Sequence, residues 1–187
     1  MYRTRSIVIV AFCALLAAAA LAGSQWSVEP KESRLTFVAN QAGADFEGAF
    51  RRFTANIRFD PADIAASRFA VTIDLASVDT RDSERDDILR GPDLFAVEQH
   101  PTARYSAERF TAQGGGKYSA AGKLTLRNVT RDVPIEFTFE KNENGAWLKG
   151  VARLKRLDFG VGQGEWKDTE WVANDVGVKF ALRLTTS

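Results

Sequence analysis

The chain has 187 residues, a length that suits one domain with a short appendage. Its 25 Lys and Arg against 24 Asp and Glu leave a formal net charge of +1, which argues against a nucleic-acid-binding module, because those carry a basic excess. One Cys excludes an intramolecular disulfide framework, one His leaves little for a histidine-based metal site, and 13 Phe against 3 Tyr and 4 Trp suit a dry interior.

Arg3 and Arg5 precede an uncharged run from Ile7 to Leu21, and Ala20-Leu21-Ala22 follows with small residues where a signal peptidase reads. A basic start, an apolar stretch and an Ala-x-Ala exit are the three parts of a secretory signal. Ile7 to Gly23 is at the short end for a membrane span of about 20 residues. Residues 1–22 are therefore read as a cleaved signal peptide, and 23–187 as an exported, periplasmic domain. Cys13 leaves with the signal, and Ser24 stands where a lipoprotein would carry its acylated Cys.

Period-two alternation then runs along nearly the whole remaining chain. Leu35, Phe37 and Ala39 share one face of a first strand. Phe53, Ala55, Ile57 and Phe59 form a second set, ended by Asp60-Pro61. Phe69, Val71, Ile73 and Leu75 follow, then Thr80 to Arg90, which breaks the alternation. That segment predicts a helix of two to three turns, with Thr80 as N-cap, Asp82 and Glu84 near the positive end of the dipole, and Gly91-Pro92 as the stop. A slip in alternation at Phe110, after Tyr105 and Ala107, predicts a bulge or strand end. Leu124 and Leu126 come next, then Val133, Ile135, Phe137 and Phe139, and finally Val176 to Leu184. Gly114-Gly115-Gly116, Asn128 and Asn142-Glu143-Asn144-Gly145 mark turns between them.

About eight strands, each with one apolar face and no helical pattern between them, specify an antiparallel all-β domain. A sandwich would fill the space between its faces. A closed barrel of this size leaves room for side chains or one small ligand. Bulky Phe positions beside small ones such as Ala55, Gly122 and Gly150 fit either tight packing or a slot. If there is a slot, its walls are hydrocarbon and its ligand an apolar chain.

A series of short motifs spans this domain. They are Trp26-Ser27-Val28-Glu29-Pro30 with Ser33-Arg34-Leu35-Thr36-Phe37, Gly48-Ala49-Phe50 with Ile57-Arg58-Phe59-Asp60-Pro61, and Val71-Thr72-Ile73-Asp74. Ser77-Val78-Asp79-Thr80, Arg85-Asp86 with Leu89, and Asp93-Leu94-Phe95 follow. His100-Pro101 with Tyr105, Gly122 through Thr130, and Asp158-Phe159-Gly160 complete the set. In this order they make the chain resemble the YceI family, exported lipocalin-like proteins also called polyisoprenoid-binding-like. The resemblance implies an elongated eight-stranded antiparallel barrel capped by one short helix, holding an isoprenoid chain of the quinone or polyprenyl kind, with no shared catalytic site. Many relatives carry His near Lys31-Glu32-Ser33 and near Asn40-Gln41-Ala42-Gly43-Ala44, and Gly at Asn128. The first two departures concern head-group recognition, whereas Asn128 is a mild change because Asn tolerates positive φ.

The expected function is that of a periplasmic carrier for an amphiphilic isoprenoid lipid, not an enzyme. The expected walls are Phe37, Phe53, Ile57, Phe59, Phe69, Val71, Ile73, Phe137 and Phe180, with Leu89 and Phe95 near the helical end and Tyr105 as a hydrogen-bonding contact. No cofactor is expected beyond a bound isoprenoid lipid or quinone. Expected partners are that lipid, transient contact with a membrane or membrane protein, and a second copy through an edge strand or the Trp-bearing loop. The competing reading is a non-lipid interaction barrel with a packed core. A lipid hydrolase ranks below both, because no nucleophile, base and orienting acid assemble from the motifs.

Other motifs have plainer readings. His100 packs in a loop before Pro101. Glu84, Asp86 and Asp87 are solvated helix charge rather than a cation site, although Arg85 and Asp86 are placed to tie the helix to the rim. Gly160-Val161-Gly162-Gln163-Gly164 is a flexible loop without the βα surroundings of a dinucleotide site, with Trp166 and Trp171 flanking a barrel mouth.

Overall fold

A computed structural model of the protein describes residues 25–186. The expected signal segment, its cleavage point before Gly23 and Cys13 lie outside the described residues. The alternating runs form strands β1 (Gln25–Val28), β2 (Arg34–Gln41), β3 (Ala44–Phe50), β4 (Phe53–Arg58), β5 (Arg68–Asp74) and β6 (Val78–Asp79). Helix α1 (Ser83–Arg90) comes next. After it come β7 (Thr102–Gly114), β8 (Lys117–Leu126), β9 (Val129–Asp132), β10 (Ile135–Asn142), β11 (Gly145–Lys155) and β12 (Asp175–Thr186).

Four pairs of these segments are single strands broken by a kink: β1 with β2, β3 with β4, β5 with β6, and β9 with β10. The first and last of these kinks have a local cause. Pro30 and Pro134 bring no N–H to a ladder. At the first, the N–H of Glu29 donates to the Arg183 carbonyl and Ser33 Oγ accepts from the Arg183 N–H, at 2.9 and 3.0 Å. At the last, the Val133 N–H donates to the Gly122 carbonyl at 2.8 Å. Counted this way, eight antiparallel strands follow one another round a barrel, and β12 closes it by pairing with β1 and β2 as well as β11. Closure leaves no long free edge, the usual hazard of an all-β domain. The expected irregularity at Phe110 is present as a register shift between β7 and β8.

One end of the barrel is solid. The Phe59 ring, fully buried, lies within 6.0 Å of the rings of Phe69, Phe110, Tyr118, Phe137 and Phe139. Trp26 packs edge-on against Phe139 and donates its indole N–H to the Phe59 carbonyl at 2.9 Å, so its polar atom is satisfied in a dry site. Among the described residues, five phenylalanines, Phe59, Phe69, Phe110, Phe137 and Phe139, thus gather to stopper one end.

Helix α1 covers part of the other end, and it begins later than expected. Asp82, not Thr80, is the N-cap, its carboxylate accepting from the Arg85 N–H at 3.1 Å. The cause lies just upstream, where Arg81 adopts φ 62° and the Asp79 carboxylate accepts its N–H. Thr80 is instead held by Asp86, whose buried carboxylate accepts from both its N–H and its hydroxyl at 2.8 Å. Asp86 is therefore a tie to the barrel rim rather than solvated helix charge. Arg90 adds bonds to the carbonyls of Ala76 and Val78. Gly91 ends the helix as expected.

Two surface carboxylates respond to acid. The N–H of Arg81 and the guanidinium of Arg51 at 2.7 Å hold Asp79 below the ordinary 3.8, and the Lys123 ammonium at 2.7 Å does the same to Asp132. Because the folded pKa is depressed, the stabilisation is present above pH 3.8 and is lost as pH falls below it. In Asp79→Asn, the part of the acid limb below pH 4 should flatten, because the variant lacks at pH 7 the small stabilisation that the wild type loses on acidification. Denaturant midpoints at pH 3, 4, 5 and 7 read this directly; an acid limb as steep as that of the wild type counts against it.

Candidate functional site

Above the aromatic stopper the barrel is hollow. The cavity has a volume of about 420 Å3 and opens between α1, the β2–β3 hairpin and the loop from Arg156 to Asn174. Leu35, Ile57, Phe69, Leu148 and Leu182 lie at its deep end, and Gln41, Asp82, Glu84, Arg85, Trp166 and Val172 at its outer end.

Of the side chains expected in the wall, Phe37, Phe53, Ile57, Phe69, Val71, Ile73, Leu89, Phe95, Tyr105 and Phe180 all line the cavity. Phe59 and Phe137 do not. Both face inward, as alternation requires, but they sit below the cavity in the stopper. Strand parity says which face a side chain takes and is silent about its depth along the barrel.

What keeps the lumen open is a set of aromatic-over-glycine niches. Phe37 is directly opposite Gly48, and Phe180 directly opposite Gly150, in neighbouring strands. A Cβ at either glycine would run into the facing ring. Tyr105 uses Gly122 in the same way from a diagonal position. Each ring therefore lies against the wall over a glycine instead of projecting across the lumen. In Gly48→Val the Phe37 ring is forced inward. Affinity for an apolar fluorescent probe should fall about tenfold or more, at a stability cost of roughly 1–3 kcal/mol from overpacking. Unchanged probe affinity in a folded variant counts against the niche.

Tyr105 is the polar group deepest in the wall. Its hydroxyl donates to the Val133 carbonyl at 3.3 Å, and burial pushes the phenol above its ordinary value of 10. It stays a neutral donor at neutral pH, with its proton already engaged by the kink at Pro134.

Sequence reasoning missed Arg156. It is 4% exposed and its guanidinium donates to five backbone carbonyls: Ala173, Val161, Trp166, Asp168 and Val172, at 2.6 to 3.4 Å. Burial pushes it below its ordinary value. With every N–H engaged, the side chain is a brace for the loop over the mouth. The signal was there: Leu148, Gly150, Ala152 and Leu154 share one strand parity, and Arg156 continues that inward row. The braced loop is also tied outward. The Ala42 N–H donates to the Trp171 carbonyl, the Ala173 N–H to Asn40, and the N–H groups of Gly162 and Gln163 to Asp93. The expected flexible glycine loop is thus built of short turns hydrogen-bonded to the hairpin and to the segment after α1.

The helix side of the mouth is held by Arg85, whose guanidinium lies 4.5 Å from the Phe46 ring centroid and 3.4 Å from Asp82. That contact spans from α1 to the β2–β3 hairpin across the opening. His100 is not among the lining residues; its Nδ1 is buried without a partner in the loop before β7. Among the described residues, no three His, Cys, Asp or Glu side chains gather as a metal site.

The family model of the YceI-like domain matches residues 26–184, nearly the whole described barrel. The chain belongs to the YceI-like family. Relatives include a UPF0312 protein of Vibrio cholerae, 30% identical over 68% of this chain and 71% of its own. Another, from Ectopseudomonas mendocina, is 34% identical over 61% of this chain and 63% of its own. Among solved structures, Burkholderia cenocepacia BcnA superposes with a TM-score of 0.82 at 37% identity, over 86% of this chain and all of that one. A polyisoprenoid-binding domain from Saccharophagus degradans, implicated in plant cell wall breakdown, shares the fold at 15% identity. Its TM-score is 0.67, over 87% of this chain and 98% of its own.

Proposed function

We propose that this protein binds an amphiphilic isoprenoid lipid, with the tail in the barrel and the polar head at the mouth beside Gln41, Asp82, Glu84 and Arg85. The observation that carries this reading is the apolar cavity of about 420 Å3 with a single polar rim. Each Å2 of tail removed from water contributes about 25 cal/mol, so a tail of several units gains several kcal/mol before association losses are met. The interior offers almost nothing else to a ligand. Tyr105 and Arg156 have their donors engaged, which supports binding rather than catalysis. Family membership and the named activity of the Saccharophagus degradans domain support the same ligand class. A barrel with a packed core is disfavoured by that same cavity.

The carrier role and the periplasmic location rest on the N-terminal segment, with Arg3, Arg5, the apolar run and Ala20-Leu21-Ala22 as an export signal. Contact with a membrane during exchange is supported by Ile88 and Trp171, 39% and 52% exposed, on two of the elements that border the mouth. Native mass spectrometry of freshly purified protein, followed by organic extraction, tests the ligand. An extractable adduct of several hundred daltons, or uptake of an added prenyl lipid, is the expected result. Repeated absence of both would overturn the proposal. Fractionation and N-terminal sequencing test the location, with a mature start at Gly23 expected.

A further inference from the structure

Resting on the proposal that the lumen takes an apolar ligand, we infer that the ligand enters and leaves through the seam between the first turn of α1 and the tip of the β2–β3 hairpin, with Arg85 on Phe46 as its latch. Three seams surround the mouth, and they are closed by different means. Between the hairpin and the loop from Arg156 to Asn174 the closure is backbone hydrogen bonding. There the Ala42 N–H donates to the Trp171 carbonyl at 2.8 Å, the Ala173 N–H to that of Asn40 at 3.0 Å, and Gln41 pairs with Val172 as a β-bridge. Between that loop and the segment after α1, the N–H groups of Gly162 and Gln163 both donate to the Asp93 carbonyl at 2.9 Å. The third seam has no bond of this kind. Among the described residues, no hydrogen bond or ion pair joins residues 82–90 to β2 or β3.

What crosses the third seam is the Arg85 guanidinium, 4.5 Å from the Phe46 ring centroid and aimed by the Asp82 carboxylate at 3.4 Å. The ties of α1 to the barrel lie farther along the helix, where Asp86 holds Thr80 and Arg90 holds the carbonyls of Ala76 and Val78. On the hairpin side, Phe46 ends a row of rings that runs through Phe37 and Phe50 to Phe95, with centroids 5.5 to 6.2 Å apart. The base of the hairpin is therefore packed, while its tip is held across this seam by one contact. A single partly exposed cation–π contact is weaker than a set of backbone hydrogen bonds, and local opening follows the weakest stabilised boundary. Phe46, Asp82, Glu84 and Arg85 all line the cavity, so parting them exposes the lumen directly.

Stopped-flow exchange of an uncharged apolar fluorescent probe tests the latch. Arg85→Met and Phe46→Leu are each expected to speed both uptake and release by about three- to thirtyfold, the range that one such contact supports. The double variant is expected to be no faster than the faster single one. Uptake is the deciding readout, because losing a ligand contact acts mainly on release, whereas unlatching a gate raises the fraction of open molecules and both rates with it. A second measurement locks the seam in folded protein: Arg85→Cys with Phe46→Cys, in a Cys13→Ser background, joined by a short reducible bis-maleimide. The link is expected to slow uptake and release by about tenfold or more, and its reduction to restore both. Wild-type uptake in both single variants, or exchange that the link leaves unslowed, overturns the latch while the apolar-ligand proposal stands. Failure of the probe to bind the wild type overturns that proposal, and the latch with it.

Discussion

Replacing Arg156 by alanine is expected to cost about 3 kcal/mol or more and to release the loop over the mouth. Five carbonyls on a stretch from Val161 to Ala173 converge on this one guanidinium. Hydrogen bonds to a charged donor contribute about 1.5–3 kcal/mol each, and buried carbonyls left without a donor cost about 1–3 kcal/mol. The sum is not additive, because a loosened loop recovers some bonds from water. For a domain of this size the loss corresponds to roughly 10 °C in Tm. Amide hydrogen exchange should speed up across Val161–Ala173 while the β7–β8 ladder stays protected, and a bound apolar probe should dissociate faster. Arg156→Lys is expected to fall between, since an ammonium has three donors for five acceptors. Wild-type protection across the loop in Arg156→Ala would show that the strands and the ties to Asn40 and Asp93 hold it without the brace.

Phe59→Ala is expected to be the most damaging single truncation at the closed end, at about 3–5 kcal/mol. Phe59 is the hub of the stopper, in contact with five other rings, and nothing beside it is free to collapse into the space. It also carries the carbonyl that receives the Trp26 indole N–H, so the effect should spread to the β1 end. Urea unfolding should show a lower midpoint with an unchanged slope. Trp26 fluorescence should report a looser environment before global unfolding. A loss below about 1 kcal/mol would mean that the neighbouring rings repack, contrary to a rigid stopper.

The all-β class, the number of strands and the one helix were legible from residue order, because each strand buries one face and period-two alternation records that directly. Val176 to Leu184 and Phe53 to Phe59 are instances in which parity predicted the inward face without error. Kinks were less visible: Pro30 and Pro134 signal them, but the pairing of Arg51 and Arg52 with Asp74, Ser77 and Asp79 involves residues far apart along the chain. The helix start was misplaced by the same kind of effect, since Thr80 is a good N-cap residue that Asp86 captures from within the helix.

For the site, alternation determined which side chains face the lumen, and Phe37, Ile57, Val71 and Phe180 duly line it. Only the tertiary structure decided that Phe59 and Phe137 fill the barrel where the others leave it hollow. The reason is axial: a row of inward residues has no depth until the strands are registered against one another, and register is set by partners on other strands. Whether a large ring blocks the lumen or lies along its wall depends on the residue opposite, as Gly48 does for Phe37 and Gly150 for Phe180. One dimension encodes the greasy face, and three are needed to make it a hole.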